Sequence, residues 1–99
     1  MTYKVDIRHK ARADILEAFS RYEGQRPGLG SDFLKTVDQH VELIGSNPSA
    51  YQIVHQDMRR SMLPRFPYVL LYRIDDDTVL ITGCYHTSRD PKVWLEYLE

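Results

Sequence analysis

The hydrophobic and polar positions of this chain change their period twice along its length. Over residues 2–8 apolar and charged residues alternate, which predicts a strand with one buried face. Over residues 11–22 apolar residues recur every three or four positions, the spacing of an amphipathic helix, and residues 33–44 repeat that spacing. A short glycine turn separates the two helices, so the sequence predicts an antiparallel helical hairpin.

Local signals predict where these helices begin and end. The Pro-Gly pair at 27–28 stops the first helix. Ser31 or Asp32 is expected to cap the second helix, because a short polar side chain accepts a hydrogen bond from a free amide of the first turn. The Asn-Pro pair at 47–48 is expected to end that helix, since a residue before proline avoids the α region.

The second half of the chain returns to the patterns of strands. The predicted strands are residues 51–55, 59–63, 68–74 and 78–85. Three aspartates at 75–77 are expected to form the hairpin turn between the last two strands. Asp90 is the predicted cap of a short final helix that begins at Pro91. The side chains of this helix that are expected to close over the core are Val93, Trp94, Tyr97 and Leu98.

These elements predict one α+β domain of residues 1–99. An N-terminal strand comes first, followed by the antiparallel helical hairpin. The hairpin is expected to pack on an antiparallel sheet of about four strands, and the chain ends in a short helix.

Composition narrows the classes of function. The chain of 99 residues has a net charge of −1, which argues against a general nucleic-acid binder, whose affinity comes from neutralising phosphates. Cys84 is the single cysteine, so it forms no internal disulfide and a reducing compartment fits. The longest apolar run, residues 68–72, is far shorter than the ~20 residues of a membrane span. Since the N-terminus is also unlike a secretory signal, we expect a cytoplasmic protein without membrane attachment.

Metal and cofactor motifs do not emerge from the sequence. The four histidines are too widely spaced for a zinc motif. The aspartates at 75–77 are adjacent in a turn, where side chains rarely converge on one cation. Neither a P-loop nor a dinucleotide fingerprint occurs. We therefore expect no metal and no cofactor.

Cationic side chains are the main candidates for a functional site. Residues 59–73 contain no acidic residue but four arginines, which are Arg59, Arg60, Arg65 and Arg73. A guanidinium binds phosphate or carboxylate oxygens in a bidentate way, although Arg73 can equally pair with the aspartate turn. Tyr68 lies in the same stretch and is a candidate either for stacking on a base or for the core.

His86 and Arg89 follow the last predicted strand, where the backbone is stiff and side chains can reach solvent. An imidazole can donate or accept a proton during phosphodiester cleavage, because it titrates close to neutral pH. The structural alternative for His86 is a rim histidine bonded to the last helix. Arg89 can hold a phosphate, or it can pair with Asp90 or Glu96.

Four segments of the chain resemble the RelE/ParE toxin superfamily. They are YEGQRPGLGSDFL (22–34), NPSAY (47–51), RRSMLPRFPYVLLYRIDDD (59–77) and CYHTSRDPKVW (84–94). The most specific part is the run R-x-x-x-L-x-R-F-P-Y-x-L-x-Y-R, followed by H-x-x-R-D-P-x-x-W. The resemblance extends over almost the whole chain and implies the same α+β fold.

This resemblance implies a bacterial toxin of a type II toxin–antitoxin or plasmid stabilisation system. Such a toxin is held inactive by a cognate antitoxin, whose extended segment wraps it in a hetero-oligomer. ParE-like members of the superfamily poison DNA gyrase by binding, whereas RelE-like members cut mRNA on the ribosome. Residues 51–74 contain no lysine, and the turn at 22–33 reads Y-E-x-Q-R-x-G-L-G-x-x-F. Both features favour the ParE-like branch.

We therefore predict a ParE-like toxin that binds DNA gyrase, rather than an enzyme. Its target-binding or antitoxin-binding residues are expected to be Arg59, Arg60, Arg65 and Tyr68. The first alternative is a ribosome-dependent mRNA interferase, a metal-independent endoribonuclease with His86 as general acid or base. Under that alternative the other catalytic residues are Arg65, Arg73 and Arg89. A further alternative is an inactive toxin fold that retains only antitoxin binding.

Overall fold

The computed structural model describes residues 2–97, without the side chain of Pro91. Its helices are α1 (His9–Gln25) and α2 (Leu29–Ser46). Its strands are β1 (Lys4–Ile7), β2 (Gln52–His55), β3 (Met58–Met62), β4 (Tyr68–Asp75) and β5 (Thr78–His86). A 3-10 turn, Pro48–Ala50, joins α2 to β2, and the described chain ends in the C-terminal 3-10 helix, Pro91–Tyr97. The predicted α+β class and the order of elements are confirmed.

The prediction of an antiparallel sheet of about four strands is wrong. The sheet has five strands in the order β1-β5-β4-β3-β2. All neighbours are antiparallel except β1 and β5, which run parallel from the Lys4–Thr78 pair to the Ile7–Ile81 pair. Alternation of apolar and polar residues identified β1 as a strand but carried no information about its partner. The short segment at 51–55 also forms a full edge strand, β2.

Both faces of the sheet carry a hydrophobic core, but the two cores differ in size. The helix face packs against α1 and α2, and its fully buried residues include Phe33, Ile44, Leu70, Tyr72 and Ile81. The opposite face, here called the open face, carries a smaller cluster made by Met58, Val69, Leu71, Tyr85, Val93 and Tyr97. Adjacent residues of β4 therefore divide between the two cores, as the pleat of a strand requires.

The turn between the helices depends on two glycines and on a carboxylate of α1. Gly28 adopts a left-handed conformation with φ of 91°, and a Cβ on Gly30 would come within 2.8 Å of Phe19. The Glu23 carboxylate accepts the N–H groups of Gly28 and Gly30, both at 3.0 Å. Thus α2 begins at Leu29 with its amides capped from α1, and the predicted cap at Ser31 or Asp32 is wrong.

The last part of β5 has no strand on its outer side, because β1 ends at Ile7 while β5 continues to His86. A bulge at Thr82 interrupts the pairing of β5 with β4. Beyond this bulge the Cys84 N–H donates to Asp14 Oδ2 of α1 at 3.1 Å. A helix side chain therefore closes the edge that β1 leaves open.

The C-terminal 3-10 helix crosses the open face. Asp90 Oδ1 accepts the Lys92 N–H at 2.7 Å, which confirms the predicted cap. Trp94 stacks on His55 of β2 with ring centroids 4.2 Å apart. The buried Tyr97 ring covers Gly83, where a Cβ would overlap it, and Val93 is buried as predicted. The predicted contact of Leu98 lies outside the described residues. Over residues 2–97, neither helix is long and apolar enough to cross a bilayer.

Candidate functional site

A polar pocket lies where β5 leaves the sheet, between α1 and the C-terminal 3-10 helix. Its volume is about 120 Å³, and we call it the β5-end pocket. The side chains that give it its chemical character are Asp14, Glu17, Arg21, Tyr68, His86, Arg89 and Tyr97. It therefore combines groups from a helix, two strands and the C-terminal segment.

Arg21 of α1 and Tyr68 of β4 form one wall of the pocket. Arg21 Nη1 donates to the Tyr68 hydroxyl at 3.2 Å, while Nη2 donates to Glu17 Oε1 at 3.1 Å, one helical turn earlier. Burial raises the pKa of Tyr68, and the Arg21 guanidinium partly opposes that effect. The tyrosine therefore stays neutral near pH 7 and keeps a hydroxyl hydrogen that it can donate.

Asp14 organises the opposite wall. Its Oδ2 accepts the Cys84 N–H and also the Tyr97 O–H at 2.7 Å, and its Oδ1 lies 3.8 Å from Lys10 Nζ. Burial, and then the hydrogen bond to Asp14, raise the pKa of Tyr97. Burial, with the nearby Asp14 charge, raises the pKa of Cys84 to about 12. Cys84 is therefore a neutral thiol near pH 7 and a poor nucleophile.

His86 lies directly across the sheet from Tyr68, with ring centroids 5.2 Å apart in an edge-on arrangement. Its Nδ1 accepts the Ser88 N–H at 3.0 Å, so the neutral ring carries its proton on Nε2. Arg89 Nη2 donates to Glu96 Oε2 at 2.5 Å, and this bond raises the pKa of Arg89. His86 thus takes part in the turn after β5, and Arg89 joins that turn to the C-terminal 3-10 helix.

Arg59 and Arg65, predicted as partner-binding residues, lie away from this pocket. Arg59 of β3 donates from Nη1 to the backbone oxygens of Tyr51 and Ser49, at 2.7 and 3.1 Å. Arg65 is in the loop after β3, with φ of 72°. Its guanidinium lies 4.0 Å from Asp32 Oδ2, near the start of α2. Arg59 therefore stabilises the edge of the sheet, and Arg65 lies on the surface beside the helical hairpin.

Arg60 and Arg73 lie on the open face, whereas His86 lies on the helix face. Arg60 is paired across the sheet with Leu71, and Arg73 follows two residues later on β4, so both share the face of Leu71. The side chain of Tyr68 and that of His86 share the helix face. The structure therefore brings together Tyr68, His86 and Arg89, but it does not bring Arg59, Arg60, Arg65 or Arg73 to them.

Three residues of the pocket were missed by sequence reasoning. Asp14, Glu17 and Arg21 recur at intervals of three and four on α1, which is the spacing of one helical face. That polar stripe was visible in the sequence beside the apolar stripe of the same helix. What the sequence did not show was that the end of β5 lies against it. Within residues 2–97, no three His, Cys, Asp or Glu side chains are grouped as a metal site.

Known proteins share both the sequence pattern and the fold. Residues 5–91 match the family model of the ParE toxin of the type II toxin–antitoxin system parDE. Among solved structures, the chain is similar to the chromosomal ParDE system from P. aeruginosa, with a TM-score of 0.78 and 16% identity over 88% of this chain and 98% of that chain. It is also similar to the RelBE2 toxin–antitoxin complex from Mycobacterium tuberculosis, with a TM-score of 0.61 and 23% identity over 87% and 99% of the two chains. The chain has no match among curated proteins.

Proposed function

The chain belongs to the ParE toxin family of type II toxin–antitoxin systems, and we propose on that basis that it stops bacterial growth by binding DNA gyrase. A cognate antitoxin neutralises it by forming a hetero-oligomer. A toxin with this target acts in the bacterial cytoplasm, which agrees with the composition of the chain.

The observation that carries this proposal is the dispersal of the cationic side chains. A nuclease without a metal needs its acid or base and its phosphate-binding cations around one phosphodiester. Arg73 lies on the open face, while His86 lies on the helix face. Arg65 is in a loop beside Asp32. This arrangement supports action by binding, for which the cations need not converge.

We assign the target surface to the exposed side of the helical hairpin and to nearby arginines. Leu16 of α1 and Leu43 of α2 are more than half exposed, at 53% and 57%. Arg65 lies beside the start of α2, and Arg60 is partly exposed on the open face. Arg59 is bonded to backbone oxygens, and Tyr68 is buried, so Arg60 and Arg65 are the better candidates for contact with the gyrase target.

We assign the antitoxin to the β2 edge and the neighbouring C-terminal 3-10 helix. β2 is a terminal strand of the sheet, so the outer side of its backbone can pair with an added strand. Ile53 at this edge is half exposed, and Trp94 reaches β2 through its stack on His55. An extended segment of a partner can therefore bind main chain and apolar side chains together.

The experiment measures supercoiling by purified gyrase as the toxin is added, with and without the protein encoded by the adjacent gene as candidate antitoxin. We expect inhibition that this protein relieves. Pulse labelling of induced cells is expected to show that DNA synthesis fails before protein synthesis. Active gyrase together with early loss of protein synthesis would refute gyrase as the target.

The mRNA interferase remains the second candidate, because His86, Tyr68 and Arg89 line one pocket. His86→Ala separates the two functions. If gyrase is the target, the folded variant keeps the toxicity of the parent, because the imidazole belongs to the turn after β5 and not to the target surface. Complete loss of toxicity by a variant that melts like the parent would favour the nuclease. If cells that contain soluble toxin continue both DNA synthesis and protein synthesis, the inactive toxin fold would be favoured.

A further inference from the structure

We propose that the β5-end pocket receives one carboxylate side chain of the antitoxin. This inference rests on the proposed function, since it names a chemical determinant of neutralisation. It adds a contact on the helix face to the β2 edge already assigned to the antitoxin.

Among the described side chains of the β5-end pocket, hydrogen-bond donors are in excess. Within residues 2–97, the Tyr68 hydroxyl accepts a bond from Arg21, but its own hydrogen has no acceptor. The neutral His86 ring keeps its proton on Nε2, because Nδ1 is bonded to Ser88. Arg21 and Arg89 use only some of the N–H groups that a guanidinium carries. A group that brings only acceptors would satisfy these donors.

Each acid of the pocket already has partners. Asp14 accepts two hydrogen bonds and faces Lys10, and Glu17 is bonded to Arg21. The repulsion that a further carboxylate would meet is therefore reduced. The charges of the two arginines and the two acids also balance, so the pocket has no excess positive charge with which to attract a polyanion. A single carboxylate adds only one negative charge to this balance, whereas a nucleic-acid backbone adds several.

The size of the pocket also favours a single side chain as its occupant. Pockets that hold small molecules have volumes of roughly 300–1,000 Å³. The β5-end pocket, at about 120 Å³, is too small for a nucleotide but suits the end of one side chain. Tyr68 is only 5% exposed, so a bond to its hydroxyl would be well shielded from water. Shielded, charge-assisted bonds of this kind are strong and specific contacts in protein interfaces.

The test begins with sodium acetate as the probe, added to the free toxin at constant ionic strength while the imidazole signals are followed by NMR. We expect a saturable shift at His86 with a dissociation constant in the millimolar range. Tyr68→Phe and Arg21→Gln should each weaken this binding about tenfold, as expected for loss of a bond to a charged group. Arg8→Gln is the matched control, because Arg8 is also exposed and paired with an acid but lies outside the pocket.

The acetate titration has three outcomes that would overturn the proposal. One is the absence of a saturable shift. Another is an equal shift in Arg21→Gln and in the parent. The last is tighter binding of inorganic phosphate than of acetate, since that would indicate a phosphate site.

The second step uses the complex with the protein encoded by the adjacent gene. In the complex, the NMR signal of the His86 imidazole should shift in the same direction as it does when acetate binds to the free toxin. Arg21→Gln should weaken the complex about tenfold, and Arg8→Gln should not. If the complex forms but the His86 signal does not shift and Arg21→Gln binds like the parent, this inference fails while the proposed function stands. If no complex forms, this inference and neutralisation by that protein both fail, while the supercoiling assay still decides whether gyrase is the target.

Discussion

His40 and Ser61 form a buried polar pair between α2 and β3. The His40 Nε2 and the Ser61 Oγ are 2.5 Å apart, and within residues 2–97 His40 Nδ1 has no hydrogen-bond partner. Such a ring is expensive to protonate, because the added charge would be shielded from water. Burial accordingly lowers the pKa of His40.

This pair predicts a pH dependence of stability. The folded-state pKa of His40 lies below the ordinary value of 6.5, so between the two values the unfolded chain binds more protons. The free energy of unfolding should therefore fall as the pH drops below about 6.5, by at most ~1.4 kcal/mol per pH unit. Urea unfolding of the parent and of His40→Gln from pH 7.5 to 5 measures this slope.

His9→Gln is the control for that series, because His9 is exposed at the start of α1. We expect the control to keep the slope of the parent and His40→Gln to lose part of it. If the three proteins have parallel profiles, His40 is not the group that links protons to folding.

Asp90 fixes the start of the C-terminal 3-10 helix through its bond to the Lys92 N–H. Asp90→Ala should lower the free energy of unfolding by ~1 kcal/mol, the usual cost of a lost cap. Asp57→Ala, at an exposed turn before β3, should change it little. Chemical denaturation compares the three proteins, and equal stability of Asp90→Ala and the parent would show that the cap contributes nothing.

At the level of secondary-structure elements, alanine substitutions at two glycines near the α1–α2 turn should change the stability of the protein in opposite directions. A Cβ on Gly30 would come within 2.8 Å of the Phe19 ring and backbone oxygen, whereas a Cβ on Gly24 would meet nothing within 4 Å. Gly30→Ala should therefore destabilise the protein by ~1–3 kcal/mol through overpacking. Gly24→Ala should stabilise it by ~0.5–1 kcal/mol through a better helix propensity.

Thermal and urea unfolding of both variants test this interpretation of the turn. A loss of stability in Gly24→Ala similar to that in Gly30→Ala would mean that the whole turn, and not the contact with Phe19, limits the packing of the two helices. Helical content from circular dichroism at low temperature shows whether the variants retain α2.

At the scale of the whole molecule, stability should be uneven across the sheet. β4 and β5 lie inside it and contain most of its fully buried residues, while β2 is an edge strand with an irregular register. We expect the amides at the centres of β4 and β5 to exchange hydrogen most slowly, and those of β2 much faster. Adding the antitoxin should protect β2 and the C-terminal 3-10 helix. Unchanged exchange at both segments would exclude them as its binding site.

Much of the fold followed from local patterns. The pleat of β1, the apolar stripes of the helices, and the Asp90 cap each depend on neighbouring residues, so the sequence alone predicted them. The start of α2 was predicted wrongly, because Glu23 on another helix supplies its cap. The parallel pairing of β1 with β5 was missed for a similar reason, since it joins distant parts of the chain.

The family, the α+β class and the order of elements could all be predicted from the sequence, since these depend on motifs and on periods that extend over a few residues. Which candidate side chains meet depends instead on how distant segments of the chain pack together. β5 continues beyond the end of β1, and this last part of β5 lies against α1. The β5-end pocket therefore brings together Tyr68, His86 and Arg89 with Asp14, Glu17 and Arg21. Arg60 and Arg73 were separated from His86 by the bulge at Thr82 and by the pleat, which together decide the face that each side chain occupies.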